Sequence, residues 1–464
     1  MENAESKKKD SYSIDMLNGA LLPKILLFCI PLALSGILQL LFNAADIIVL
    51  GRFVGPDALA AVGATSQLIN LLVNIFIGLS VGVNVQVARY YAQGRHRDVN
   101  QVVETAIATS LSFGTVFILI GFLISAPVLE LMGTPSEVIS MSVLYIRIYF
   151  LGLPAIVSYN FGAAILRAIG DTKRPLYFLM VAGVVNVFLN LFFVIVCGLG
   201  VSGVAIATTI SNCISAILVI RTLTKEEGAL RLDLKKLKIN KIKFLRILKI
   251  GFPAGLQGGI FSISNVLIQS SVNSFGYIVM AGSTASANLE GFVYNAMNSV
   301  YQANLSFTSQ NIGAGKYSRI NRILITCLFV VVLIGGIMGG LFYLFGPQLL
   351  SIYSDDADVI KAGMVRMTYI TLVYFLCGFM DVFVGSLRGM GYAVVPMIVS
   401  LLGACAFRVL WIFTVFAADH TMETLFISYP ISWILTAFVH FLCFKRIRAK
   451  FPKEDELRGI AAKA

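Results

Sequence analysis

Asp46, Glu290, Asp381 and Arg408 are ionisable side chains set inside long apolar runs, and that setting gives them chemistry that surface charges lack. A charge in the interior of a bilayer is costly unless it faces a cavity or a partner, so each is a candidate for holding an ion, a proton or a ligand. Asp46 falls about 22 residues after Lys24, roughly 33 Å along a helix, which sets it in the outer part of a first span. Asn186 and Asn190 stand at i and i+4 and share one helix face, where their amides can hydrogen-bond a carboxyl or a substrate, or hold helices together. Glu290 lies roughly 15 Å into its helix with nothing nearby in sequence to neutralise it, so it suits either a ligand-lining role or an interhelical hydrogen bond. Arg408 stands about twelve residues into its helix and requires an anion. Asp381 can supply one, and the two would then form a structural ion pair. Arg147 and Arg366 begin near outer helix ends, where snorkelling takes their charge to the interface. Tyr294, Tyr301, Phe261 and Phe307 could form a wall for flat cations. Asn160, Glu290, Tyr294 and Arg408 are the candidate substrate contacts. The histidines His96, His420 and His440 lie far apart, and the seven cysteines show no CxxC spacing, which argues against a resident metal or haem.

The elements that must carry these residues are membrane helices. Of 464 residues 58% are hydrophobic and 13% charged, with a mean hydropathy of +0.85, far more apolar than a water-soluble core needs. Apolar runs at about 24–50, 58–91, 102–126, 139–166, 176–198, 201–224, 247–274, 280–311, 322–352, 362–387, 394–418 and 421–447 give twelve spans of bilayer length. The net charge of +12 would suggest nucleic acid as a partner of a soluble protein, but here its placement excludes that reading. Basic residues alternate between loops: Lys7, Lys8, Lys9 and Lys24 come first, then Arg95 and Arg97, Arg167, Lys173 and Arg174, Lys316, Arg319 and Arg322, and Arg388. The intervening loops are nearly bare, with Arg52 and Lys361 as exceptions. By the positive-inside rule both termini are cytoplasmic, which requires an even number of helices. The stretch before the first run has no apolar core ending in a cleavage site, so it does not read as a signal peptide. The expected fold class is therefore all-α and polytopic: a cytoplasmic N-terminal segment 1–23, an N-lobe 24–224, a basic linker 225–246, a C-lobe 247–447 and a cytoplasmic tail 448–464, with twelve transmembrane helices in two pseudo-symmetric bundles of six.

The symmetry rests on an internal repeat at an offset of about 221 residues. Leu166-Arg167-x-x-Gly170-x4-Pro175 matches Leu387-Arg388-x-x-Gly391-x4-Pro396, Pro31 matches Pro253, Asn43 matches Asn265, and Ala92-Gln93-Gly94-Arg95 matches Gly313-Ala314-Gly315-Lys316. In the first of these, arginine ends a helix, glycine releases the chain and proline opens the next helix. Six helices per repeat insert both halves in the same orientation, as parallel repeats related by an axis along the membrane normal.

With Asp46 and Gly51-Arg52-Phe53-Val54-Gly55, Ala58 to Gly63, Gly203 to Thr209, Gln310 to Gly315 and Leu387-Arg388-Gly389, this order of motifs resembles the multidrug and toxic compound extrusion (MATE) family over about residues 15–447. The resemblance implies a secondary antiporter that exports amphipathic, often cationic compounds against inward protons or sodium ions, with no cofactor beyond the coupling ion. It implies a monomer in the plasma (inner) membrane, in contact with lipid. Asp46 resembles the carboxylate that proton-coupled members protonate. Asn190 stands where several of those relatives have an aspartate, and this chain departs from them there. Asp381 resembles a cation-binding carboxylate of sodium-coupled relatives, which also place a glutamate on the seventh helix; the run Gln257 to Ser264 has none. Sodium at Asp46 or Asp381 is the metal reading that the resemblance allows. The ion-coupling set is thus Asp46, Asn186, Asn190, Glu290 and Asp381. Two other readings compete. A lipid-linked oligosaccharide flippase of the same superfamily predicts a cavity rich in arginines, and only Arg408 stands at mid-depth. A membrane-embedded transferase needs clustered aspartates or an active histidine, and Asp355, Asp356 and Asp358 form the one aspartate cluster, on an outer loop.

Overall fold

The computed structural model describes residues 12–452, which are helical with no strand. Lys7 to Lys9 and the far end of the tail lie outside the described residues. Among the described residues twelve long helices follow in order, with a six-residue helix, Gly346–Ser351, between the ninth and the tenth. In the first half they are α1 (Leu21–Phe53), α2 (Pro56–Ala92), α3 (His96–Leu131), α4 (Ser136–Leu151 continued by Leu153–Ala168), α5 (Lys173–Val196) and α6 (Gly200–Lys225). The second half has α7 (Lys241–Asn273), α8 (Tyr277–Gly313), α9 (Arg319–Leu344), α10 (Ala357–Tyr369 continued by Phe375–Gly389), α11 (Val394–Phe416) and α12 (Met422–Arg448). Eight of these helices are each long and apolar enough to cross a membrane, and the α4 pair, bent by 46°, makes a ninth. The remaining three, α7, α8 and α10, are diluted by glycine, serine and asparagine or broken after Tyr369, and they complete the twelve.

The repeated turns have matching backbones. Gly170 and Gly391 both take φ 92°, a left-handed conformation that favours glycine. In each, the residue after glycine reaches back to the repeat's leucine carbonyl: Asp171 N donates to Leu166 O at 3.0 Å and Tyr392 N to Leu387 O at 2.9 Å. The motif therefore ends a helix in the same way twice.

The chain forms two compact units. One is built from Ile37–Gly255, and the other from Ile14–Gly36 together with the chain from Leu256 onward. The first has a core of Val83, Val87, Val103, Ile107, Phe161 and Leu166. The core of the second includes Ile25, Phe28, Val300, Phe307, Val382 and Leu387. In the first unit the opening of α7 lies so close to α2 that a Cβ on Gly78 or Gly82 would run into its backbone. Its approach is secured by Lys243, which pairs with Asp98 and lies 4.2 Å from the Tyr90 ring centroid, while Arg246 donates to the Tyr90 hydroxyl. In the second unit the approach to α1 is held by Asn311, whose amide donates to Met16 O at 3.1 Å, and by Lys316, which reaches Asn18 Oδ1 at 2.6 Å.

Candidate functional site

In the first unit, α5 and α6 enclose the carboxylate of α1. Asn190 donates from Nδ2 to Asp46 Oδ1, and Thr208 Oγ1 donates to Asp46 Oδ2 at 3.4 Å. Asn190 Nδ2 also reaches Asn186 Oδ1 at 3.3 Å, and Asn186 Nδ2 reaches Thr208 Oγ1 at 3.4 Å. The i, i+4 spacing of the two asparagines thus places both amides on the carboxylate's side. Both are buried, and among the described residues no basic group lies within ion-pair distance of Asp46. Asn190 Oδ1 is buried without a hydrogen-bond partner. Two local features open this place. Gly183 on α5 has no Cβ where the Phe42 ring of α1 lies against it, and a π-helical segment, Phe192–Val196, follows Asn190. Such segments widen a helix and recur at functional sites. Thr208 is a site residue that inspection of charges missed. It lies within the Gly203 to Thr209 motif, about two turns of helix from where α6 begins.

The second unit arranges its charges differently. Glu290 on α8 accepts a two-pronged contact from Arg366 on α10: Nε to Oε1 at 2.9 Å and Nη2 to Oε2 at 2.8 Å. Arg366 Nη1 donates to Ser283 Oγ at 2.9 Å, and Ser286 Oγ donates to Glu290 Oε1 at 3.3 Å. Two expectations change here. Glu290 has its neutralising partner, and Arg366 is buried in the bundle rather than snorkelling to the interface. The two are far apart in sequence, on different helices, so chain spacing could not pair them. The hydroxyls satisfy the remaining lone pairs of this bidentate pair, which offsets its desolvation.

Asp381 and Arg408 do not pair. Among the described residues Asp381 has no salt bridge, and its positive neighbour is Arg388, which donates to Tyr301 Oη at 2.7 Å and Gln257 Oε1 at 2.8 Å. Arg408 on α11 donates from Nε to Ser432 Oγ at 2.8 Å and lies over the Tyr429 ring at 4.0 Å and the Trp433 ring at 5.5 Å. Trp433 is followed by Tyr374 at 5.4 Å and Tyr374 by Tyr294 at 6.3 Å, centroid to centroid. Tyr294 therefore joins an aromatic row as expected, whereas Phe307 is fully buried against Phe28 and Tyr301 is engaged by Arg388. Asn160, in the first unit, turns its amide to Ile156 O of its own helix at 2.9 Å. Arg147 reaches Ser125 Oγ and Phe122 O. Among the described residues no three of His, Cys, Asp and Glu come together as a metal-binding group.

Two repeated six-helix halves, with carboxylates held in the apolar interior of a multi-pass membrane protein, define a membrane transporter. The MatE family model matches residues 31–192 and again 253–414, each copy beginning at one of the paired prolines, and the chain belongs to that family. It is 29% identical to the probable multidrug resistance protein YoeA of Bacillus subtilis over 81% of this chain and 82% of that one. It is 26% identical to the probable multidrug resistance protein YpnP of the same organism, over 85% and 88%. Among solved structures, an outward-facing multidrug resistance transporter of the MATE family superposes with a TM-score of 0.87 at 22% identity, covering 94% of this chain and 97% of that one. A MOP superfamily transporter from Pyrococcus furiosus, described as having a binding pocket of reversed polarity, superposes with a TM-score of 0.86 at 22% identity, covering 94% and 98%. The protein is a multidrug efflux transporter of this family that moves small molecules; it is not an enzyme, and the family does not favour the flippase reading.

Proposed function

We propose that the chain is a secondary antiporter that exports amphipathic, cationic compounds while protons or sodium ions flow inward through the site at Asp46. The observation that carries this reading is a carboxylate in the membrane-spanning bundle held by the amide of Asn190 and the hydroxyl of Thr208, with no basic partner among the described residues. Neutral donors orient the carboxylate but leave its charge uncompensated, and in an apolar surround that charge is relieved by taking up a cation. A proton or a small ion supplies it from one side of the membrane. Coupling follows if substrate and ion each bind one conformation better, because each shifts the equilibrium only by its differential affinity.

Of the two ions, one feature favours sodium. Turning the Asn190 amide over would direct its partnerless Oδ1 to the same place as Asp46, Asn186 Oδ1 and Thr208 Oγ1, giving an all-oxygen set of the kind hard cations take. The alternation of basic loops supports cytoplasmic termini in a plasma (inner) membrane, and nothing in the sequence calls for more than a monomer surrounded by lipid. The test is efflux of ethidium from proteoliposomes under an imposed pH gradient and, separately, an imposed sodium gradient. One gradient is expected to drive efflux, and Asp46→Asn to abolish it. Undiminished gradient-driven efflux by Asp46→Asn removes Asp46 from the coupling step.

A further inference from the structure

Arg408 is a cation without an anion. It is 5% exposed at mid-helix, among the described residues no carboxylate lies within ion-pair distance, and its Nη2 has no hydrogen-bond partner. Its neighbours are a hydroxyl, Ser432, and two ring faces, Tyr429 and Trp433, which orient the guanidinium and soften its isolation without neutralising it. The other two buried arginines of this unit are provided for: Arg366 has Glu290, and Arg388 has Tyr301 and Gln257 with Asp381 as a neighbouring negative charge.

The backbone around Arg408 is also exceptional. The α-helical stretch Phe407–Trp411 is only five residues long and is bounded on both sides by π-helical segments, Leu401–Ala406 and Ile412–Phe416. Each π-helical segment gives up regular i→i−4 bonding, and such segments are frequent at functional sites. From Arg408 the aromatic row runs outward through Trp433 and Tyr374 to Tyr294, and exposure rises along it from 3% at Trp433 to 37% at Tyr294. Trp433 and Nη2 are buried, so a flat apolar body ending in an acid group would reach Nη2 by entering at the exposed Tyr294 ring and parting the rings behind it.

We infer that the second unit contains a subsite for the acid group of an amphipathic aromatic carboxylate, with Arg408 as the charge partner and Tyr429, Trp433, Tyr374 and Tyr294 as the stacking row. One guanidinium calls for one negative charge, so a singly charged acid leaves the interior neutral, whereas a dianion would replace one unpaired charge by another. The subsite extends the substrate range beyond the cations of the proposed antiport to anionic and zwitterionic compounds. A singly charged phospholipid headgroup offers the same chemistry, and the test separates the two sources.

Trp411 and Trp433 are the two tryptophans of the chain, so intrinsic fluorescence reads this site directly, and Trp411→Phe isolates Trp433. Purified protein in detergent, with no ion gradient, is titrated with phenylacetate and with its neutral analogue phenylacetamide. A saturable change of Trp433 emission is expected with phenylacetate, with affinity about tenfold or more above that for phenylacetamide. Arg408→Gln abolishes this preference, and Arg408→Lys keeps part of it because the charge remains but the planar fork is lost. Competition by phosphatidylglycerol, and not by phosphatidylcholine, assigns the subsite to a lipid headgroup; its absence assigns it to a soluble carboxylate. Equal affinity for phenylacetate and phenylacetamide in the parent protein overturns the inference without any variant, and so does an unchanged preference in Arg408→Gln. Because no gradient is applied, this outcome is independent of whether Asp46 couples transport.

Discussion

The fifth helix of each half, α5 and α11, shows how far one scaffold can diverge. Both are interrupted by π-helical turns beside their polar residue, and both begin after the same glycine turn. Yet α5 directs the Asn190 amide, backed by Asn186, at a carboxylate that has no cation among the described residues, whereas α11 presents an arginine to aromatic rings with no carboxylate among them. At the repeat offset Asp46 faces Ile268, and Asp381 faces Asn160. The repeat therefore supplies backbone geometry, and a handful of substitutions inside it set the sign of charge each unit offers to a ligand.

The largest way to sharpen this contrast is to show that one charged group of the second unit is purely structural. Arg366→Met strands Glu290 in the bundle and should lower stability by about 3–5 kcal/mol, measured by thermal unfolding in detergent. Adding Glu290→Gln should recover most of the loss; no recovery would mean that Glu290 has work beyond the pair. Next come the paired small residues: Gly183→Ala drives a methyl into the Phe42 ring in the first unit, and Gly403→Ala drives one into the Thr436 side chain in the second. Each should cost about 1–3 kcal/mol, with Gly183→Ala also impairing ion-driven efflux because it shifts α1, which carries Asp46. Within the first unit, Asn190→Ala should raise the ion concentration for half-maximal efflux about tenfold, and Thr208→Val, which removes a longer bond, by about threefold. Equal effects would make the Thr208 contact as strong as that of Asn190. The smallest effect is expected at the helix entrances. Lys316→Ala removes a partly exposed contact and should change stability by about 0–1 kcal/mol in the same assay, and Lys243→Ala, which takes a buried ammonium from Asp98, by somewhat more.

Spans, repeat and turns were legible because they rest on local rules: apolar length, a left-handed glycine and a proline near the start of a helix. The site was legible where it followed helix periodicity, as for Asn186 and Asn190, which share a face at i and i+4 so that Asn190 meets Asp46 and Asn186 backs it. It was not legible where partners lie on different helices. Glu290 and Arg366 looked like an isolated acid and an interfacial base, and only the packing of α8 against α10 brings them together. Arg408 and Asp381 looked like each other's natural partners, since opposite charges in an apolar setting ought to seek one another. The aromatic rings of α12 take Arg408 instead, and a ring face is invisible as an electrostatic partner in a list of charged residues.

The membership of the two units bears on how the protein is made. Residues 14–36 leave the ribosome before Ile37–Gly255 but complete a unit whose remainder begins at Leu256, while the first unit stays open until the chain has been synthesised as far as Gly255. Order of synthesis and order of closure are thus out of step. A gene cut within the basic linker would yield two fragments, neither encoding the whole of either unit, so each would depend on the other's polypeptide to finish folding.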